Sequence, residues 1–248
     1  MALRSDELES TDIPEYGRDE FIEERWEYKP GEHVTFLAPT QTGKTTLKFE
    51  LFRETLSKNL KAVSLIMKPK DAVPEAYRKP LKFDRVEDWP PSHIRKAIVD
   101  PNGWMVWPKT TFDPSVDDKT MRRVFRKAIL WCYKHGKIIL DVDEILGVAD
   151  DLNLDDELKA VWSRGASMGC GLWGGSQRPS GIPLHAYSQA SHFFLGQTSD
   201  KRDRDRLRDI SGIGINPEEI ADYVEDLGEH EWLYIRKRGH RMCRILAS

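Results

Sequence analysis

Three short stretches of this chain carry residue types that could act together in one piece of chemistry. The first is Ala38-Pro39-Thr40-Gln41-Thr42-Gly43-Lys44-Thr45-Thr46. A glycine ahead of a lysine and two threonines, set between a β-rich run and a helical pattern, is the sequence form of a phosphate loop. Its backbone N–H groups would turn inward and open into a helix whose positive end faces anionic oxygens. Lys44 would reach the β- and γ-phosphates of ATP, and the Thr45 hydroxyl would bind Mg2+. Thr40, Gln41, Thr42, Gly43 and Thr46 would complete the cradle. Ala38 stands where the pattern has glycine, which is tolerable if its φ stays negative, because only a positive φ strongly demands glycine.

The second stretch is Lys137-Ile138-Ile139-Leu140-Asp141-Val142-Asp143-Glu144. A phosphate loop needs a carboxylate on a neighbouring strand to hold Mg2+, and hydrolysis needs a group that orients the attacking water. Asp143 suits the metal side and Glu144 the general base. Asp141 and Asp143 would face the same side of the strand. A second register makes Asp141 the metal carboxylate, but it leaves no adjacent glutamate for the water. The third stretch, Cys170-Gly171-Leu172-Trp173-Gly174-Gly175-Ser176-Gln177-Arg178-Pro179, is a strand ending in an amide. Gln177 could lie between the two carboxylates and report on the γ-phosphate; read alone, it is equally a strand-end hydrogen bonder.

These groups need a scaffold that gathers strand ends. Apolar runs predict strands at 33–37, 62–67, 104–107, 137–144, 170–177 and 191–196. Helical spacing predicts helices at 42–58, 117–135 and 154–168, a charged one at 200–211, and one from Pro217 to 227 with Asn216 as N-cap. Prolines 74, 80, 90 and 91 punctuate an irregular region with one short helix near 93–99, and residues 230–245 predict a hairpin turning at Arg238-Gly239. Alternating strands and helices imply an α/β P-loop NTPase fold of the RecA/ASCE type, its mostly parallel sheet covered on both faces, with a C-terminal β-hairpin.

The length of 248 residues fits one large domain, and 32% charged with 39% hydrophobic residues suits a soluble protein with a sizeable core. No run approaches the roughly 20 apolar residues of a membrane helix. Residues 1–9 are charged, so a secretory leader is not expected. Cys132, Cys170 and Cys243 show no metal or dithiol spacing and read as free thiols in a reducing, cytoplasmic setting. Residues 1–29 are strongly acidic and read as a partly helical arm that could dock on a neighbouring subunit, ahead of the ATPase domain at 30–248. The C-terminal segment is basic (Arg236, Lys237, Arg238, Arg241, Arg244).

Ser176-Gln177-Arg178-Pro179, with the order of phosphate loop, Asp-Glu and Gln-Arg-Pro, resembles the FtsK–HerA superfamily of DNA-pumping ATPases. Gly181-Ile182-Pro183, the strand at Ser191 and the terminal Trp232-Leu233-Tyr234 hairpin resemble its viral and phage genome-packaging branch. The resemblance implies a sensor strand between the phosphate-loop strand and the carboxylate strand. It also implies a pentameric or hexameric homo-oligomeric ring whose active sites are shared between subunits. The family often has two arginines ahead of the sensor strand, where this chain has Arg164-Gly165-Ala166. Arg164 is the first choice for a catalytic arginine acting in trans on the γ-phosphate, ahead of Arg178, Arg202 and Arg204.

The implied partner is double-stranded DNA gripped by its backbone without base reading, with a portal or membrane docking protein beside it. Lys68, Lys70, Arg78 and Lys79, or the basic hairpin, could contact that DNA. In a virus the setting would be the host cytoplasm. The other expectations are a HerA- or FtsK-like pump for plasmid transfer, segregation or repair; a small-molecule P-loop kinase; and a nucleotide-gated assembly protein.

Overall fold

The computed structural model describes residues 13–91, 100–210 and 217–248. In chain order the strands and helices are β1 (Glu15–Tyr16), α1 (Arg18–Glu20), β2 (Val34–Leu37), α2 (Lys44–Thr55), β3 (Lys61–Leu65), α3 (Ala72–Arg78), β4 (Phe83–Val86) and β5 (Gly103–Val106). They continue as α4 (Pro114–His135), β6 (Ile138–Val142), α5 (Asp155–Arg164), β7 (Cys170–Ser176), α6 (Leu184–Ser188), β8 (His192–Gly196), α7 (Lys201–Leu207), α8 (Pro217–Glu225), β9 (Trp232–Arg236) and β10 (Arg241–Ile245). One sheet holds the ten described strands in the order β1-β10-β9-β8-β2-β7-β6-β3-β5-β4.

From β8 to β4 every pairing is parallel, so these strands deliver their carboxyl ends to one edge. The expected hairpin is present: β9 and β10 pair antiparallel, and Gly239 takes φ +88° in its turn. β2, β5, β6, β7 and β8 are buried along their whole length. Their sequences therefore read as apolar runs rather than alternations, as strands covered on both faces must.

Helices cover both faces. On one, α4 buries Met121, Val124, Phe125, Ala128, Ile129 and Cys132, the i, i+3, i+4 stripe of an amphipathic helix. It begins at Pro114, three residues before the sequence expectation, because the Asp113 side chain caps it by accepting from the Ser115 N–H. α5 packs beside it through Leu158, Val161 and Trp162. On the other face, α2 buries Leu47, Phe49, Leu51 and Phe52. The Phe52 ring stacks on Trp173 of β7 with centroids 4.6 Å apart.

β1 pairs with β10 in the common sheet, and Phe21 sits fully buried, edge-on to Tyr234 at 4.7 Å. The described part of the acidic arm thus packs on its own chain. The proline-punctuated region holds α3 and β4, which the sequence did not announce; Asp84 and Arg85 disguise a four-residue edge strand. The short helix near 93–99, the Asn216 cap and the acidic residues Asp6, Glu7, Glu9 and Asp12 lie outside the described residues. No described helix is long and apolar enough to cross a membrane, and the three cysteines are free and buried.

Because Phe52 joins the helix that starts at the phosphate loop to the middle of the sheet, Phe52→Ala should cost about 3–5 kcal/mol. Its denaturant midpoint should fall with little change in the transition's slope.

Candidate functional site

The parallel edge brings the three stretches together. β2 ends at Leu37 and its chain turns through residues 38–43 into α2, with Gly43 left-handed at φ +88°. Ala38 keeps a negative φ, as its replacement of glycine requires. Its methyl group fits because Gly196 at the end of β8 has none; a Cβ there would come within 2.6 Å of it. Lys44 Nζ donates to the carbonyl oxygens of Ala38 and Pro39, and the Thr42 hydroxyl donates to the Pro39 carbonyl at 2.8 Å.

The two acids at the end of β6 lie beside this loop. Thr45 Oγ1 is 3.2 Å from each oxygen of Asp143. Asp141 faces the same way, as alternation requires, but is fully buried, whereas Asp143 reaches the cleft. The register with Asp143 toward the phosphate loop is therefore the one the geometry favours. Gly174 and Gly175 make this approach possible, since a Cβ on them would strike Ile145 and the Asp143 carbonyl.

Gln177 Nε2 donates to Glu144 Oε2 at 2.9 Å, while its Oε1 accepts from the Thr40 hydroxyl at 2.7 Å. It thus bridges the phosphate loop and Glu144, instead of lying between Asp143 and Glu144 as expected. A cleft of about 350 Å³ opens over these groups, lined by residues 40–41, 43–46, Lys68, Asp71, Val73, Asp143, Glu144, Gln177 and His230.

Three residues here were not found in the sequence. Lys48, one helical turn past Lys44, is buried, with Nζ 2.7 Å from Asp143 Oδ1 and 2.9 Å from Asp141 Oδ1. Its signal was a lone lysine among Leu47, Phe49, Leu51 and Phe52. His230 sets Nδ1 3.2 Å from the Thr42 carbonyl oxygen, and its own carbonyl accepts from Arg18 at 2.7 Å. Arg18 in turn braces the phosphate loop from the N-terminal segment. No local pattern marks either residue, because both pairings join distant parts of the chain.

Burial sets the charges. It pushes the Lys44 amine down to about 8, against the pull of Asp143 and Glu144. It also raises Glu144, with the Gln177 amide and Lys44 opposing. Burial raises Asp141 as well; at Asp143 the same penalty is overcome by Lys48, whose ammonium holds that carboxyl below its usual range. Lys48 itself is shifted upward, because Asp141 and Asp143 outweigh its burial.

Thr45 and Asp143 fit Mg2+, a hard cation that takes one or two carboxylates plus phosphate oxygens rather than an all-protein cage.

Arg164 lies at the end of α5, exposed, over the Tyr133 ring at 5.6 Å. It precedes β7, so it sits at the sheet edge opposite the phosphate loop of its own chain. The basic hairpin turn lies at that same far edge. Arg236 is buried and paired with Glu27 at 2.5 Å. Lys68 lines the cleft and Arg204 pairs with Glu225, while Arg178 is exposed beside Gln177.

Solved structures share this architecture. The DNA-packaging ATPase B204 from Sulfolobus turreted icosahedral virus superposes with a TM-score of 0.62 at 15% identity, covering 89% of this chain and all of that one. The fold is that of a P-loop NTPase. The genome packaging NTPase B204 from Sulfolobus turreted icosahedral virus 2, solved with AMPPCP, gives 0.58 at 13% identity over 89% of this chain and 100% of that one. The type VII secretion ATPase EccC from Thermomonospora curvata gives 0.53 at 15% identity; 92% of this chain spans about a quarter, 26%, of that one. No protein-family model and no curated protein matches the sequence. β7, the strand expected to carry the sensor, does lie between β2 and β6, as the FtsK–HerA resemblance implied.

With its amine lowered to about 8, Lys44 is charged at pH 7 and loses its proton as pH rises through 8. Phosphates would favour the charged form, so triphosphate binding should take up a proton near pH 8 and weaken by roughly tenfold per pH unit above it. Titration calorimetry in buffers of different ionisation heat measures both; equal affinity at pH 7 and pH 9 would contradict it.

Proposed function

We propose that the chain is an ATPase that drives double-stranded DNA through a ring of identical subunits, in viral genome packaging. The observation that carries the reading is the Gln177 bridge between Thr40 of the phosphate loop and Glu144. A γ-phosphate seated on the loop would meet the same amide that holds the general base. Departure of the phosphate would therefore be felt at Glu144 and along β7.

In this reading Lys44 and the loop N–H groups hold the β- and γ-phosphates. Glu144, with its carboxyl raised by burial, orients and deprotonates the attacking water. Mg2+, held by Thr45 and Asp143, would supply neutralisation of phosphate charge. Arg164 faces away from its own phosphate loop, so it could serve only a neighbour's site. Its place agrees with an arginine acting in trans. The likeness to B204 over nearly the whole of both chains favours packaging over the other DNA-pump readings.

ATP hydrolysis measured with and without long double-stranded DNA tests the assignment. Hydrolysis should rise with DNA, and Glu144→Gln should lower it by about 10²-fold or more while leaving nucleotide binding intact. Turnover indifferent to DNA would overturn the translocase reading and leave a kinase or assembly protein. Mixing Arg164→Ala with Lys44→Ala subunits should restore activity that neither variant has alone, if the arginine crosses a subunit interface. Mixtures as inactive as their parts would remove Arg164 from that role.

A further inference from the structure

The cation nearest the candidate metal position is not the phosphate-loop lysine. Lys44 Nζ rests on the Ala38 and Pro39 carbonyls, whereas Lys48 Nζ contacts both Asp141 and Asp143. Lys48 is 2% exposed. A buried ammonium needs a partner, and Asp141, equally buried, would suffice as one. The same ammonium also takes Asp143 Oδ1, an oxygen that stands 3.2 Å from the Thr45 hydroxyl.

We infer that Lys48 is a positioning residue and built-in counter-cation: anchored by Asp141, it aims Asp143 at Thr45 and disfavours divalent metal until nucleotide phosphates arrive. The inference rests on the reading of this cleft as a Mg·ATP site. Lys48 Nζ stands 2.7 Å from an Asp143 oxygen that a metal would need, and Lys44 and Lys68 line the same cleft. A divalent ion entering alone must displace the Lys48 ammonium from Asp143 with two further lysines nearby, a cost that removing Lys48 lifts whether or not residue 141 keeps its charge. Triphosphate adds the missing negative charge, so metal and nucleotide enter together. Asp141 thereby gains a role the motif does not assign: it holds Lys48 and does not hold metal.

The test is binding of Mn2+ alone to the full chain, followed by the resonance signal of the free ion. The proteins are the native chain, Lys48→Met and Lys48→Met/Asp141→Asn; Mg·ATP binding to the native chain is measured in parallel. The double variant keeps Asp143 and leaves no unpaired buried charge at position 141 if the single variant misfolds. The native chain should bind Mn2+ weakly without nucleotide, and the folded variants should bind it about tenfold more tightly or better. A purely structural lysine would not move that affinity. Tight Mn2+ binding by the native chain without nucleotide, or unchanged affinity in a folded variant, overturns the inference while native Mg·ATP binding keeps the proposed function standing. A native chain that binds no Mg·ATP overturns both.

Discussion

One ammonium between two carboxylates fixes how α2 meets the sheet. Lys48 and Asp141 are both withdrawn from water, and each is tolerable there only because of the other. Losing one partner of such a buried pair typically costs about 3–5 kcal/mol, a large share of a domain's whole stability. The contact therefore sets the rotation of α2 over β6. With that rotation fixed, Thr45 falls beside Asp143, and Lys44 one turn earlier lies over the loop.

The rest of the edge is arranged around the same register. β7 lies between β2 and β6, and its small residues let the chain after β6 fold across it. Gln177 then spans from Glu144 to Thr40. From the other side, Arg18 and His230 hold the loop before β9 against Thr42. The N-terminal segment is thus bound to the phosphate site through one arginine, although β1 pairs at the far end of the sheet.

Much of this was legible in the sequence because short segments carried it. The phosphate loop, the Asp143-Glu144 pair and Gln177 are local patterns, each tied to one strand end. Runs such as Lys137-Ile138-Ile139-Leu140 could only be strands covered on both faces. What escaped depended on contacts between distant residues. Lys48 drew no notice, because nothing in its own helix records that Asp141 waits on β6. The acidic arm looked separate, since its anchors Phe21, Ile22 and Trp26 are few and their partners lie elsewhere on the chain. Arg236 read as part of a basic hairpin, and its pairing with Glu27 was not visible in the sequence. α3 and β4 were hidden by prolines and by charged residues on an edge strand.

A structure determined with Mg2+ and a non-hydrolysable ATP analogue measures the central claim most directly. The account predicts that Lys44 leaves the Ala38 and Pro39 carbonyls for the phosphates, that the metal lies between Thr45 and Asp143, and that the γ-phosphate comes within reach of Gln177 and Glu144. A triphosphate seated away from the 38–46 loop, or a metal held by Asp141 in place of Asp143, would contradict it.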